Sequence, residues 1–184
     1  MRRGRVVLLI FLSALLITGS VSSVSGQDVA NGLAIANVLA SLSVVATQPL
    51  DFGNVFQGVA KTQDETSDAL SGIFTISGAA NAGLSIYIQL PDYLALASGA
   101  DRMLVAFSNQ DCTFSILDAA APSTPSAPGA GALLNQDPRV LVGTTVGAGG
   151  VSQIFLGGKV TPAVNQTAGA YSGDIVCTVA YTGT

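Results

Sequence analysis

The chain has 184 residues, of which 49% are hydrophobic and only 10% are charged, and it contains no histidine. The lack of histidine excludes catalytic triads and relays that need an imidazole, and with only two cysteines it also excludes a complete zinc shell. The formal net charge of −4 argues against a nucleic-acid-binding surface, because such a surface needs clustered Lys and Arg.

The chain begins with the features of a secretory signal peptide. Three arginines lie among the first five residues, and residues 6–18 are an apolar run too short to span a membrane. Residues 24–26 fit a cleavage site, which predicts a signal peptide over residues 1–26 and a mature chain from Gln27; the alternative is an uncleaved anchor. Cleavage would leave four basic residues against eleven acidic ones, a net charge of −7, with no further membrane span.

Residues 27–47 form a small-residue, apolar extension that is nearly free of charge. Ile35, Val38, Leu39 and Leu42 fit the spacing of a helix. Alternation over residues 33–35 and 42–44 instead fits extended pieces, so the sequence leaves both interpretations open.

From Pro49 onward, apolar residues alternate with polar ones in short segments separated by turns, as in strands with one buried face. We therefore predict an all-β domain over residues 48–184, an antiparallel immunoglobulin-like or pilin-like β-sandwich. Residues 118–138 are rich in Ala, Pro, Ser and Gly, which predicts a flexible surface loop. The alternating segments are 50–55, 74–76, 84–90, 103–107, 112–116, 140–142, 152–164 and 175–181.

The last two strands each carry one apolar face. Ile154, Leu156, Val160 and Val164 are predicted to share one face, and Ile175, Cys177, Val179 and Tyr181 to share another. The final strand ends close to the end of the chain, so it is predicted to form a sheet edge that has to be covered.

Two cysteines, Cys112 and Cys177, alternate in phase with predicted core residues. Passage through an oxidising compartment favours a disulfide between them. The alternative is a pair of buried free thiols.

The remaining sequence patterns that could indicate a metal site or a modification site are weak. Asp64, Glu65 and Asp68 match no calcium loop and fit a solvated acidic loop better. Asn165-Gln166-Thr167 is a formal glycosylation sequon that a turn explains equally well. No residues predict a catalytic, cofactor or metal site, so the chain is predicted not to be an enzyme and to need no cofactor.

Several segments give the chain a resemblance to a known family. Together they are similar to a widespread family of secreted bacterial domains of unknown function, the DUF4402 family, whose members are taken to be pilin-like or surface-exposed β-sandwiches. The segments are Leu50-Asp51-Phe52-Gly53, Phe74-Thr75-Ile76-Ser77-Gly78, Ile86-Tyr87-Ile88-Gln89-Leu90-Pro91, Met103-Leu104-Val105, Phe155-Leu156-Gly157-Gly158 and the most specific block, residues 165–173.

The last strand also resembles that of chaperone–usher pilins. A glycine, Gly169, opens it, and a tyrosine, Tyr181, follows twelve residues later. The resemblance implies a surface-exposed bacterial protein, a secretion chaperone as a further partner, and an acceptor strand that pairs with a neighbouring subunit. Its candidate acceptor residues are Gly169, Tyr171, Ile175, Val179 and Tyr181.

The leading hypothesis is a structural subunit of an extracellular filament in which the extension of one subunit completes the sheet of the next. The candidate donor residues are Leu33, Ile35, Leu39, Leu42 and Val44, unless residues 33–47 instead form the domain's own first strand or a short helix. The runner-up hypothesis is a monomeric secreted or surface-attached binding module, such as an adhesin.

Overall fold

The structure, a computed structural model, describes residues 30–117 and 123–182. The predicted signal peptide and mature start lie outside these residues. The chain divides into two units, residues 1–37 and 38–184. Of the first unit, residues 30–37 are described; they form neither helix nor strand, and their side chains are exposed.

The described residues contain strands, turns and irregular segments but no helix, which confirms the all-β prediction. All strand pairs in the sheets are antiparallel. The strands are β1 (Ser43–Gln48), β2 (Lys61–Gln63), β3 (Gly72–Ser77), β4 (Leu84–Gln89), β5 (Tyr93–Leu96), β6 (Arg102–Ala106), β7 (Cys112–Leu117), β8 (Leu133–Gln136), β9 (Val151–Leu156), β10 (Gly158–Thr161), β11 (Tyr171–Ser172) and β12 (Val176–Tyr181).

The first sheet has the strand order β1-β3-β9-β7-β8. Its central strands put large apolar side chains on the inner face, where Phe74, Ile154 and Phe114 occupy one row across β3, β9 and β7. All three are buried. The spacing of two residues between Phe74 and Ile76, or Ile154 and Leu156, keeps each apolar set on the core side.

The second layer combines a sheet of order β11-β5-β6-β10-β2 with the pair β12-β4. β4 and β5 are separated by a break at residues 90–92, and β11 and β12 are separated by residues 173–175. β11 pairs with β5 and β12 pairs with β4, so the last part of the chain runs beside both strands. Leu84, Ile86 and Ile88 point into the core and alternate with exposed residues. The two layers enclose one core, which confirms an antiparallel β-sandwich.

The outer face of the first sheet is also buried and carries both apolar and polar side chains, with Phe155 fully buried in the same row as Thr113. Gln153 is 3% exposed and Ser115 is fully buried. Ser123 donates to Gln153 Oε1 through its backbone nitrogen at 2.8 Å, and the Gly129 nitrogen donates to Ser115 Oγ at 2.8 Å. Residues 123–132, which we call the cover segment, therefore pack across this face.

The prediction of a flexible loop over residues 118–138 is corrected by these contacts. Residues 133–136 form β8, Pro138 is fully buried, and Leu133 packs against the core. Residues 118–122 lie outside the described part of the chain. Small residues and prolines can pack closely against the face of a sheet. A segment of this composition therefore covers the sheet here, although the sequence predicted a flexible loop.

The predicted disulfide is also wrong in this structure, since Cys112 and Cys177 are both free thiols. Cys112 lies in β7 of the first sheet and Cys177 in β12 of the other layer. Burial raises the pKa of the Cys112 thiol strongly and that of Cys177 to about 11, so neither is an activated thiolate.

The end of the predicted extension belongs to the sandwich itself. β1 begins at Ser43 and pairs with β3, with Val44 opposite Ile76. Leu42 and Val44 pack against the core. Because these two residues pack within their own domain, the prediction that they are donated to a neighbour is wrong. The domain also begins before residue 48.

Candidate functional site: a groove beside the last strand

The first and last segments of the sandwich run side by side in opposite directions. At one end, Tyr181 Oη donates to the Ala40 carbonyl at 2.9 Å. At the other end, the Gln57 side chain donates to the Gln166 carbonyl, and the Gly58 nitrogen donates to the Ala163 carbonyl at 3.0 Å. β1 and β12 also contact each other. No sheet pairing joins residues 49–57 to residues 166–176.

A groove occupies the space between these two segments. It consists of one cavity of about 900 Å³ and an adjoining one of about 430 Å³, which share Pro49, Leu50, Gly173 and Ile175. One wall is formed by residues 46–57 and the other by residues 166–176. We call this feature the edge groove.

The floor of the edge groove is the hydrophobic core. Met103, Val105, Phe107 and Val160 line it, and each is at most 7% exposed. Leu50, Val55, Leu94 and Ile175 are only partly buried and pack against the same core. The floor of the edge groove is therefore apolar, and it lies between two segments that no sheet pairing joins to each other.

The wall formed by residues 166–172 is held in place by the Asp101 carboxylate. Asp101 Oδ2 accepts hydrogen bonds from the Thr167 nitrogen at 2.8 Å, from Gln166 Nε2 at 2.8 Å and from Tyr171 Oη at 3.0 Å. The hydrogen bonds from Thr167 are the main reason that the pKa of Asp101 is lowered to about 2. The Gln-Thr and Tyr of the most specific sequence block therefore fix the shape of this wall.

The replacement Asp101→Asn should loosen this wall and lower the melting temperature at pH 7. Because the folded pKa lies below the usual value of 3.8, the carboxylate stabilises the fold fully above that pH and loses this effect as the pH falls towards 2. The difference in melting temperature between the two proteins should therefore shrink as the pH is lowered from 7 to 2. A constant difference over that range would contradict this role.

A glycine is required where the wall turns towards β5. Gly169 has a φ of +154°, which side-chain-bearing residues rarely adopt. A Cβ atom there would also lie 2.5 Å from Leu96 Cδ1. Gly169 lies shortly before β11, whereas the last strand, β12, begins only at Val176.

The predicted acceptor residues fall into two groups. Gly169, Tyr171 and Ile175 line the edge groove. Val179 and Tyr181 lie in β12, beyond the groove, and pack against the core with Ile175 and Cys177, which confirms their predicted common face. The second wall, residues 49–57, was missed as part of a site. Its signal is Pro49, which ends the pairing of β1 just before a run of half-buried apolar residues.

The remaining candidate donor residues stay unpaired in the described chain. Leu33 and Ile35 are 89% and 88% exposed, and Leu39 is 47% exposed. Val38 is also 92% exposed, so this uncharged segment exposes four large apolar side chains.

The acidic and sequon residues form no second site. Asp64 accepts hydrogen bonds from Thr66, which lower its pKa, and Asp68 accepts two from Ser126. Asn165 is exposed in a turn. Among residues 30–117 and 123–182, no three His, Cys, Asp or Glu side chains are grouped so as to hold a metal ion.

Over the described ranges, the structure has no helix with the length and apolar character needed to cross a membrane. Comparisons of the chain with models of protein families, with curated proteins and with solved structures found no match.

Proposed function

We propose that this protein is a structural subunit of an extracellular filament on the bacterial surface, assembled by donor-strand complementation. The observation that carries the proposal is the edge groove, an apolar gap between the first and last segments of the sandwich. The proposed occupant is residues 30–39 of a second copy of this chain. A secretion chaperone would hold the same groove before assembly.

The apolar character of the groove matches that of the proposed occupant. The floor of the groove is apolar, and residues 30–39 carry no charge and expose Leu33, Ile35 and Leu39 at odd positions. Residues at positions i and i+2 of a strand share a face, so these three side chains would point to the floor together. Burying each would contribute about 1.5–3 kcal/mol before the cost of ordering the segment.

The occupant is a second copy, not the same chain, because of where the extension is anchored. Tyr181 Oη donates to the Ala40 carbonyl, so the extension begins beside the end of β12 that lies away from the groove. To enter its own groove, the extension would have to reverse at Ala40 and run back past β1. That strand covers about 20 Å of the roughly 33 Å that residues 30–39 span at about 3.3 Å per residue. The extension of a neighbouring chain does not have to reverse, so its full length remains for the groove.

Removing residues 27–39 should give a chain that stays monomeric and melts at a lower temperature than the assembled protein, because its groove remains empty. A synthetic peptide of residues 30–40 should raise its melting temperature by an amount that grows with peptide concentration, as for any ligand of the folded state. Thermal denaturation and analytical ultracentrifugation measure the two effects.

A peptide with the same composition in scrambled order is the control and should leave the melting temperature unchanged. The proposal fails if the full-length chain is monomeric at all concentrations, or if the truncated chain ignores the peptide. Binding of a peptide from an unrelated protein without self-assembly would favour the alternative, a surface-attached binding module.

A further inference from the structure

The second layer of the sandwich has an exposed outer face, whereas the cover segment packs across the outer face of the first sheet. In β5, β6 and β10, which are neighbours in the sheet, every second residue points outward and is exposed. The outward positions begin at Tyr93 in β5, Arg102 in β6 and Lys159 in β10. We call the surface formed by these outward residues the bare face.

The bare face ends where β10 ends. Val160 is buried as predicted, and Lys159 and Thr161 on either side of it point outward. Val164 was predicted to share the buried face of Val160, but it lies beyond the strand and is 83% exposed. That prediction is wrong, because the alternation stops with the strand at Thr161.

The charge of the bare face is opposite to that of the chain as a whole. The chain has seven basic and eleven acidic residues, whereas the outward positions of β5, β6 and β10 hold Arg102 and Lys159 and no acidic residue. Asp101 precedes Arg102, but its carboxylate accepts hydrogen bonds from the Arg102 nitrogen and from the wall of the edge groove. Within residues 30–117 and 123–182, the one ion pair joins Arg139 to Asp137. The bare face is therefore complementary to an anionic partner.

An exposed aromatic ring lies in the row between the two cations. Tyr93 pairs with Leu104, which pairs with Thr161, so their side chains form one row across the three strands. Tyr93 is 52% exposed and Leu104 is 43% exposed. Arg102 lies on one side of this row and Lys159, opposite Ala106, lies on the other. Along the strands the two cations are roughly 14 Å apart, at about 3.4 Å per residue.

We infer that the bare face binds an acidic polysaccharide, a chain of sugar rings that carries carboxylates. The C–H face of a sugar ring is apolar and stacks on an exposed aromatic ring, which Tyr93 supplies. Arg102 and Lys159 would each bind a carboxylate on either side of the stacked ring, the guanidinium through two parallel hydrogen bonds. An extended ligand with alternating rings and charges matches the order of groups on this flat face.

Two other classes of anionic partner match the bare face less well. Binding of nucleic acid depends on neutralising many phosphates, and recognition of anionic lipid takes clusters of about 4–8 Lys and Arg. The bare face has two widely spaced cations with an aromatic ring between them. A polysaccharide is compatible with this low charge, because ring stacking contributes and its repeated units bind several sites at once.

Titration calorimetry of the full-length chain with an oligomer of galacturonate tests the inference. We expect saturable binding that weakens as salt is added. The same oligomer with methyl-esterified carboxyl groups keeps the rings and loses the charge, and polyglutamate of equal length keeps the charge without the rings. Each control should bind at least roughly tenfold more weakly. No binding of the galacturonate oligomer, or equal binding of either control, would overturn the inference.

Substitutions then locate the site. Arg102→Gln and Lys159→Gln should each weaken binding roughly fivefold or more. Asn135→Asp lowers the net charge equally at an exposed position of β8 in the other sheet, and it should leave binding unchanged. Tyr93→Ala should weaken binding by a similar factor, whereas Tyr93→Phe keeps the ring and should retain most of the affinity. Equal effects of Asn135→Asp and Lys159→Gln would show that net charge governs binding, and would also overturn the inference.

The inference does not depend on the proposed function. Tyr93, Arg102 and Lys159 do not line the edge groove, so their variants should bind the peptide of residues 30–40 normally in the chain that lacks residues 27–39. Without polysaccharide, the full-length variants should sediment like the unmodified chain. Altered self-association would identify the bare face as a contact between copies and overturn the inference. Failure of the peptide to bind would overturn the proposed function alone.

Discussion

Replacing residues 124–131 of the cover segment with a glycine–serine linker of equal length should destabilise the protein by several kcal/mol. The linker removes the two hydrogen bonds from Ser126 to Asp68, at 2.8 and 2.7 Å, and the packing of the buried Pro125. Apolar side chains newly exposed on the sheet cost about 1.5–3 kcal/mol each. The melting temperature should fall by about 10 °C or more.

Single substitutions provide the control for this prediction. A Cβ atom on Gly129 would collide with the backbone carbonyl of Ile116, which cannot move without distorting β7, so Gly129→Ala should reproduce part of the loss. Ala130 is exposed, so Ala130→Ser should have no measurable effect. An unchanged melting temperature in the linker variant would show that the cover segment is dispensable.

The sequence predicts strand faces well wherever one face meets the core and the other meets water. β4 is the clearest case, because Leu84, Ile86 and Ile88 are buried and the residues between them are exposed. The same alternation identified Ile175, Cys177 and Val179 as one face of the last strand. In these strands the solvent itself imposes the period of two.

The cover segment could not be predicted, because the sheet face beneath it buries polar side chains among apolar ones. Ser115 and Gln153 read as solvent-facing residues, yet hydrogen bonds from Ser123 and Gly129 satisfy them inside the structure. A segment of Ala, Pro, Ser and Gly has no hydrophobic period. Its packing depends on tertiary contacts with residues distant in the sequence.

The boundary between extension and domain was also beyond the sequence. Apolar residues continue from Leu33 to Val44 with no charge or proline between them, so the pattern is compatible with one long donor segment. The register of β1 on β3 decides the matter, because it buries Val44 opposite Ile76 and leaves Leu33 and Ile35 exposed. Such pairing between distant segments is a property of the sheet and is not encoded in local alternation.

The largest effect on assembly is expected from Ile35→Asp. In the proposed donor strand, Ile35 shares a face with Leu33 and points into the apolar floor of the edge groove. Loss of the isoleucine contact alone amounts to about 1.5–3 kcal/mol, and an unpaired carboxylate buried in its place costs more. Binding of the extension should weaken by at least about 100-fold, since 1.4 kcal/mol corresponds to a factor of ten. Sedimentation of the purified full-length chain measures the effect, and the variant should remain monomeric.

Ala36→Asp is the matched control, because the neighbouring position of an extended strand points away from the groove. It introduces the same charge one residue further along the same exposed segment. Neither Ile35 nor Ala36 belongs to the sandwich. The Ala36 variant should therefore still assemble, with a modest loss at most. Equal losses in the two variants would show that charge, and not the face of a donor strand, governs assembly. Equal, undiminished assembly would show that the extension does not enter the groove.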